Sequence, residues 1–241
     1  MSTVPRSEAR DLGLAPRTAA RARELLARMR TLDNPYLTAL RNGSMKLEVF
    51  RRTQEQFYTA VIFFPRPMAA LLGRIPDPAA RLDILRNLVE EHGDYEPPRF
   101  HQNTFRAFLS RIGARAEEVD ELAVWPCVRA FNSVLLTACL HDELEVGVTC
   151  MGIIEYAFAG ISAELCRGII QRGWLAEDQL VHYSLHAELD MHHALEFFAV
   201  VESRWDDPAR KYYLERGLEL GAFVFERLYR DLYEAGTCRD E

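Results

Sequence analysis

Apolar residues recur along this chain every three or four positions, the spacing that places them on one face of an α-helix. Alternating apolar and polar residues, which would indicate half-buried strands, are hard to find. Proline, glycine and capping residues divide the pattern into eight or nine helices, so the sequence predicts an all-α protein. The expected helices are 17–32, 46–72, 77–92, 99–112, one restarting near 116, 126–141, 146–170, 177–204 and 206–234, with a short segment at 36–41 after the first.

Some of these boundaries carry a specific signal. Pro65 and Pro67 fall inside the segment 46–72 and should kink or divide it, because proline has no amide proton to donate. Ser44 is expected to cap the start of that segment. Pro78 suits the first turn of the next helix, where no amide proton is needed.

Length and composition indicate one globular unit. The chain has 241 residues, of which 49% are hydrophobic and 27% charged, and it contains no internal repeat or low-complexity linker. We expect an N-terminal extension over residues 1–33, partly helical, followed by one helical domain over residues 34–236. A homodimer is compatible with the amphipathic helices, although no contact seam stands out.

Charge and apolar runs narrow the class of partner and the compartment. The net charge is −7 without a basic cluster, which argues against nucleic acid as a partner. The longest apolar runs, such as 61–64 and 197–201, are far shorter than a membrane span. The N-terminus lacks the apolar core of a secretory signal, and the five cysteines form no C-x-x-C pair. We therefore expect a cytoplasmic protein with reduced thiols and no membrane partner.

The segment 186–193 carries the clearest chemical signal. At about 100° per residue, His186, Asp190 and His193 lie at about 0°, 40° and −20° on one narrow helical stripe. Neighbouring apolar residues place that stripe toward the core, where imidazoles and a carboxylate are costly unless paired or ligated. This donor mixture suits Fe(II), Mn(II) or Zn(II). His182, at about −40° and one turn earlier, is either a rim residue or a rival ligand.

Two further segments supply acids and an imidazole. Glu155 lies among apolar residues of a helix that should be buried, so its charge needs a partner. Glu91 falls near a helix end, and His101 begins the next helix beyond Pro97-Pro98. A helix–loop–helix corner can bring Glu91 and His101 together. Taken singly, each group is also explained as a satisfied core residue or a surface residue.

Taken together, these six groups favour a two-metal site in the core of a helical bundle. Three carboxylates contribute −3 against +4 from two Fe(II) ions, and carboxylate-rich sites keep positions open for O2. The candidate metal ligands are Glu91, His101, Glu155, His186, Asp190 and His193.

The order of these motifs resembles a known family. The chain is similar to the haem-oxygenase-like diiron oxidases and oxygenases, also called iron-containing redox enzymes. The similarity lies in the ordered series N-x-x-x-E-x-G, a histidine, I-E-Y and H-x-x-x-D-x-x-H. The resemblance covers about residues 34–235 and includes Asn34-Pro35-Tyr36. It implies a haem-oxygenase-like bundle of about seven core helices, with the six candidate ligands holding two Fe(II) per chain and O2 as co-substrate.

The resemblance also implies a reaction class. Such enzymes oxidise amino acids, fatty acids or other small carboxylates by desaturation, C–C cleavage, decarboxylation or N-oxygenation, and an external electron donor is compatible with this chemistry. Leu37 stands about where the aminobenzoate-synthase-like members carry a sacrificial tyrosine, although Tyr36 and Tyr58 lie nearby. The longer loop between Glu91 and His101 also departs from those members, so the chain looks closer to those acting on free amino acids.

Four more residues are candidates for handling the substrate. Arg66 and Arg129 could each bind a substrate carboxylate through two hydrogen bonds. Tyr58 and Tyr156 could donate a hydrogen bond or an electron to the reaction, although both also suit aromatic core packing.

Three alternative functions share the same architecture. Haem binding needs an axial histidine on an early helix, and no histidine precedes His92. A cofactor-free thiamin-salvage hydrolase would need a nucleophilic cysteine beside an acid, and Cys139 and Cys166 show no activating partner in the sequence. A non-catalytic helical binding protein would tolerate changes at all six candidate ligands. Iron binding with O2 consumption separates the diiron enzyme from these three.

Overall fold

The computed structural model of the chain describes residues 16–115 and 117–238, with their side chains except that of Glu188. The first fifteen residues of the expected extension and residue 116 lie outside the described residues. Ten α-helices and no strand occur in the described part, which confirms the all-α prediction. The helices are α1 (Pro16–Met29), α2 (Pro35–Asn42), α3 (Leu47–Phe63), α4 (Pro65–Leu72), α5 (Pro78–Glu91), α6 (His101–Arg111), α7 (Pro126–Leu140), α8 (Leu144–Gln171), α9 (Val181–Val201) and α10 (Pro208–Thr237).

Local signals in the sequence explain most of these boundaries. Asp77 and Asp207 cap α5 and α10, each accepting hydrogen bonds from the first free backbone amides. Pro65 divides the long helix expected over 46–72, so that α3 ends and α4 begins on either side of Phe64. These three boundaries follow the chemistry that the sequence predicts.

Other expected boundaries were wrong. Ser44 does not cap α3, because Lys46 occupies the N-cap position without a side-chain hydrogen bond. A single 3₁₀ turn, Val119–Glu121, stands in the segment expected to restart as a helix near residue 116. The helix expected from residue 177 begins at Val181, after a separate 3₁₀ turn. At the other end of the chain, α10 continues through Gly236.

Helix α8 forms the centre of the bundle. It packs against α9 and α10 along much of its length and against α7 and α2 at its sides. By length and composition α8 could cross a membrane, but 83% of its most apolar stretch is buried inside the protein. Burial on all sides explains why this helix is apolar all round, as expected of a core helix.

The first described helix covers one flank of the bundle. Arg17 forms ion pairs with Glu202 and Asp206, and the Trp205 indole donates a hydrogen bond to Thr18 at 2.6 Å. The inner face of α1 joins a second small apolar cluster with residues from α8, α9 and α10. The buried members of this cluster are Ala19, Ala22, Leu25, Ile153, Ala194, Phe198, Leu218 and Ala222.

Two glycines let α10 cross α8 at backbone contact. A Cβ atom at Gly217 would lie 2.1 Å from Thr149 Oγ1 and 2.4 Å from the carbonyl oxygen of Val146. At Gly221, a Cβ atom would lie 2.5 Å from the carbonyl oxygen of Cys150. Larger side chains here would push α10 away from the helix that carries Glu155.

We expect Gly217→Ala to lower the free energy of unfolding by about 1–3 kcal/mol, because the added methyl group overpacks a contact between backbones. Urea unfolding of the full chain, followed by circular dichroism, measures this change. Gly160→Ala in α8 is the matched control, since its added Cβ would lie 3.4 Å from the flexible Leu32 side chain. The control should be neutral or gain about 0.5–1 kcal/mol from helix propensity. Equal losses in both variants would contradict the close-packing explanation.

Candidate metal centre

Four helices bring the six predicted ligands into one buried region. Helix α5 supplies one residue, α6 one, α8 one and α9 three. Each of these side chains is at most 7% exposed, which is rare for ionisable groups without partners. They are Glu91, His101, Glu155, His186, Asp190 and His193.

The corner between α5 and α6 brings Glu91 to His101. Glu91 is the last residue of α5 and His101 the first of α6, and Glu91 Oε2 lies 3.0 Å from His101 Nδ1. The chain reverses at Gly93, which adopts a positive φ of 56°. A Cβ atom there would lie 2.5 Å from the backbone of Arg99, so only glycine fits this position.

Electrostatics favour the charged form of both members of this pair. Burial opposes ionisation of Glu91, but the neighbouring His101 outweighs burial and lowers the pKa of Glu91 to about 2. Burial likewise opposes protonation of His101, and the Glu91 carboxylate overcomes it and raises the pKa of His101. A metal ion would replace the proton that the pair holds in this state.

The predicted stripe on α9 is present. His186 Nδ1 lies 2.8 Å from Asp190 Oδ1, and His193 Nδ1 lies 3.8 Å from the same oxygen. His193 Nε2 forms a 2.8 Å hydrogen bond with Glu90 Oε2. Although burial opposes protonation of His193, this hydrogen bond and the Asp190 charge raise its pKa.

Glu155 reaches the stripe from α8. One ligand atom each from Glu155, Asp190 and His193 lie within 4.8 Å of one another, close enough to hold a single metal ion. Burial, together with the charges of Asp190 and Glu91, raises the pKa of Glu155 well above its usual range. These neighbours make Glu155 a poor structural acid and a suitable ligand for a cation.

Several donor atoms of this cluster are buried without a hydrogen-bond partner among the described residues. Such atoms are rare in folded proteins because each costs free energy, and bound metal ions would satisfy them. Two carboxylate oxygens and three imidazole nitrogens with this chemistry fit a first-row divalent metal. The atoms are Glu155 Oε1, Asp190 Oδ2, His182 Nε2, His186 Nε2 and His193 Nδ1.

Two cavities meet at the Glu91–His101 pair. The smaller one holds about 50 Å³ and also contacts Glu155, His182 and His186. Apart from these polar groups its walls are apolar: Phe57, Ala60, Val61, Phe64, Phe131, Ile154, Phe158 and Phe225. The second cavity is larger and more polar, at about 320 Å³. Val61, Glu91 and His101 line both.

Of the four other predicted site residues, one lines the second cavity and three lie away from both cavities. Arg66 lines the second cavity, close to the Glu91–His101 pair. Arg129 is exposed on α7 and lines neither cavity. The Tyr58 hydroxyl accepts a 2.6 Å hydrogen bond from Arg106, and the Tyr156 hydroxyl accepts one from Arg23 at 3.3 Å. Both tyrosines also lie outside the two cavities, so the structure brings only Arg66 to the centre.

Glu90 is a functional candidate that the sequence did not single out. In the sequence, Glu90 and Glu91 look like an exposed acidic pair. Only the tertiary structure brings Glu90 to His193. Carboxylates that hold the second nitrogen of a ligating histidine are common around protein metals. Asn87, one turn earlier on α5, is also fully buried beside Glu155.

Comparison with protein families decides the relationship. The model of a family described as iron-containing redox enzymes matches residues 51–213, more than half of the chain. The chain belongs to this family. The match includes all six predicted ligands and agrees with the resemblance seen in the sequence.

Individual relatives extend the comparison to most of the chain. A 4-aminobenzoate synthase from Chlamydia muridarum is 25% identical over 211 residues, which cover 86% of each chain. A TenA homologue from Pseudomonas syringae has a TM-score of 0.74 at 15% identity, covering 93% of this chain and 96% of that one. A domain with a haem-oxygenase-like fold from Shewanella denitrificans has a TM-score of 0.73 at 14% identity, covering 95% and 94%. These structures confirm the haem-oxygenase-like fold.

We expect Glu90→Gln to weaken metal binding by about 10–100-fold, because the amide no longer supplies the charge that holds His193 Nε2. Anaerobic Fe(II) titration of metal-free protein measures the affinity. Glu48→Gln is the matched control, since Glu48 lies on the exposed side of α3 with its side chain 63% exposed. Wild-type affinity in Glu90→Gln would show that this hydrogen bond does not position His193.

Proposed function

We propose that this chain is a non-haem diiron oxidase or oxygenase that uses O2 to oxidise a small carboxylate metabolite, with a free amino acid as the favoured substrate. The observation that carries the proposal is the set of buried donor atoms for which the described residues provide no hydrogen-bond partner. In a member of an iron-containing redox family, iron is the cation best suited to them. Three carboxylates and at least three imidazoles fit two Fe(II) ions in charge and ligand type.

Bound iron would supply the activation of O2, and the protein would supply placement and a dry environment. The smaller cavity brings phenylalanine and aliphatic side chains against the centre, and these apolar walls would limit the water around the reacting carbon. Glu91 and His101 lie between this cavity and the larger one, where a substrate would enter.

Arg66 is the candidate anchor for the substrate carboxylate. It lines the larger cavity together with Gln102 and several apolar side chains, among them Leu88 and Phe100. A guanidinium binds a carboxylate through two hydrogen bonds and so fixes its orientation. A guanidinium beside apolar side chains such as Leu88 and Phe100 suits a small molecule that carries a carboxylate on a carbon skeleton.

The relatives named 4-aminobenzoate synthase raise aromatic carboxylates as a further substrate or product class. Two positions in this chain favour a separate substrate molecule over a sacrificial tyrosine of the protein itself. Leu37 offers no oxidisable ring, and the adjacent Tyr36 directs its hydroxyl to Thr53 and Gln54, each at 2.7 Å. Tyr36 also lines neither cavity.

A thiamin-salvage type of hydrolysis is less well supported. Burial raises the pKa of Cys139 to about 12 and raises that of Cys166 as well, so neither thiol is activated. Neither residue lines the two cavities beside the centre. The TenA homologue shares the fold at 15% identity and carries no argument about this reaction.

Metal-free wild-type protein should bind two equivalents of Fe(II) under anaerobic conditions, and iron loading should be required for O2 consumption. Glu155→Ala and His186→Ala should each lose at least one equivalent, because each removes a buried ligand. Titration by absorbance and an oxygen electrode measure the two quantities. Binding of both ions by the two variants as in wild type would overturn the ligand set.

Arg66→Gln should raise the half-saturating concentration of an active carboxylate by about 10–100-fold, the effect of losing a charged hydrogen bond of about 1.5–3 kcal/mol. The substrate comes from a screen of amino acids, fatty acids and 4-aminobenzoate for accelerated O2 consumption. Arg129→Gln removes an equal charge from another exposed position, one that lines neither cavity, and should change nothing. Equal effects of both variants would point to overall charge and not to a carboxylate anchor.

A further inference from the structure

His182 is a fourth buried imidazole at the centre. It lies one turn before His186 on α9, is only 1% exposed and lines the smaller cavity. Its ring centre lies 4.4 Å from that of His186 and 6.2 Å from that of His101. It therefore belongs to the same polar surface of the cavity as four of the predicted ligands, Glu91, His101, Glu155 and His186.

Thr104 fixes which nitrogen of His182 carries the proton. The Thr104 hydroxyl has one proton and donates it to the carbonyl oxygen of His101 at 3.0 Å. The same hydroxyl lies 3.0 Å from His182 Nδ1, and with its proton on that carbonyl oxygen it accepts a hydrogen bond from Nδ1–H. His182 Nε2 then carries a lone pair, buried and without a hydrogen-bond partner in the described part of the chain.

His186 presents the same arrangement one turn further along the helix. Its Nδ1 is held by Asp190, and its Nε2 is likewise buried without a partner among the described residues. Two histidines four positions apart on one helical face can bind one metal ion. Imidazoles at neighbouring positions of one ion, each at a metal–nitrogen distance of about 2.1 Å, place their ring centres about 4.5 Å apart, close to the separation observed here.

We propose that His182 is a seventh protein ligand, binding one of the two metal ions through Nε2 beside His186 Nε2. This inference rests on the proposed diiron function. The three ligand atoms from Glu155, Asp190 and His193 that lie within 4.8 Å of one another would belong to the other ion. The two positions would then differ, one dominated by imidazole and one by carboxylate. The imidazole-rich ion has one position fewer for O2 or substrate.

Co(II) is the probe for this assignment, because its visible absorption and its hyperfine-shifted proton signals report ligands directly. Metal-free wild type, His182→Gln and the control His141→Gln, at an exposed position after α7, are titrated anaerobically. The wild type and the control should bind two equivalents. His182→Gln should lower the affinity for one Co(II) equivalent by at least about 10–100-fold, the loss typical when a residue that holds a metal ligand is changed. The affinity for the other equivalent should stay unchanged. Its Co(II) form should also lose one exchangeable imidazole proton signal, that of Nδ1–H.

Two equivalents bound by His182→Gln with wild-type affinities and all wild-type proton signals would overturn the seventh ligand while leaving the diiron proposal intact. A wild type that binds neither Co(II) nor Fe(II) would overturn both. Circular dichroism checks that His182→Gln folds. If it does not, Thr104→Val keeps the ligand and removes only the acceptor of Nδ1–H. A shifted imidazole signal in that variant supports the assignment, and an unchanged set of signals contradicts it.

Discussion

The constraint on which this structure depends is the burial of the Asp190 carboxylate, fully hidden from solvent between two histidines of its own helix. A buried carboxylate costs several kcal/mol unless charges or hydrogen bonds compensate it. His186 one turn before and His193 one turn after supply that compensation at 2.8 and 3.8 Å from one oxygen. A turn of α9 by one residue, about 100°, would carry all three groups away from α8 and α5 together. The chemistry of the stripe therefore fixes the orientation of α9.

Helix α8 shows how a buried acid looks when its role is structural. Glu145, near its start, is fully buried and pairs with Arg204 and Arg210, so its charge is balanced by the protein itself. Glu155, ten residues later, has the acids Asp190, Glu91 and Glu196 as the charges that act on it, and all three disfavour its ionised form. The same helix thus holds one acid compensated by arginine and one that, in its ionised form, has only other acids as the charges acting on it. This contrast supports a metal at Glu155 more directly than burial alone.

The sequence predicts the centre where local geometry decides it. The relative positions of His186, Asp190 and His193 follow from helical periodicity, and Glu91 and His101 flank a corner marked by glycine and proline. Side-chain contacts that depend on packing between helices far apart in the sequence are harder to predict. Tyr58 looked as suitable as any tyrosine near the centre, yet Arg106 holds its hydroxyl elsewhere. The same limit hid Glu90, because its contact with His193 joins positions over a hundred residues apart.

The α5–α6 corner links the metal ligands to the choice of substrate. Glu91 and His101 line both cavities, so the pair that would hold metal also forms part of the boundary between the Arg66 side and the apolar side. A carboxylate bound at Arg66 would direct the rest of its carbon skeleton along Val61 toward the centre. The position of the oxidised carbon along that skeleton would then depend on the length of the loop that joins α5 to α6. If the proposed reaction is correct, the loop around Pro97-Pro98 would therefore influence which carbon is oxidised.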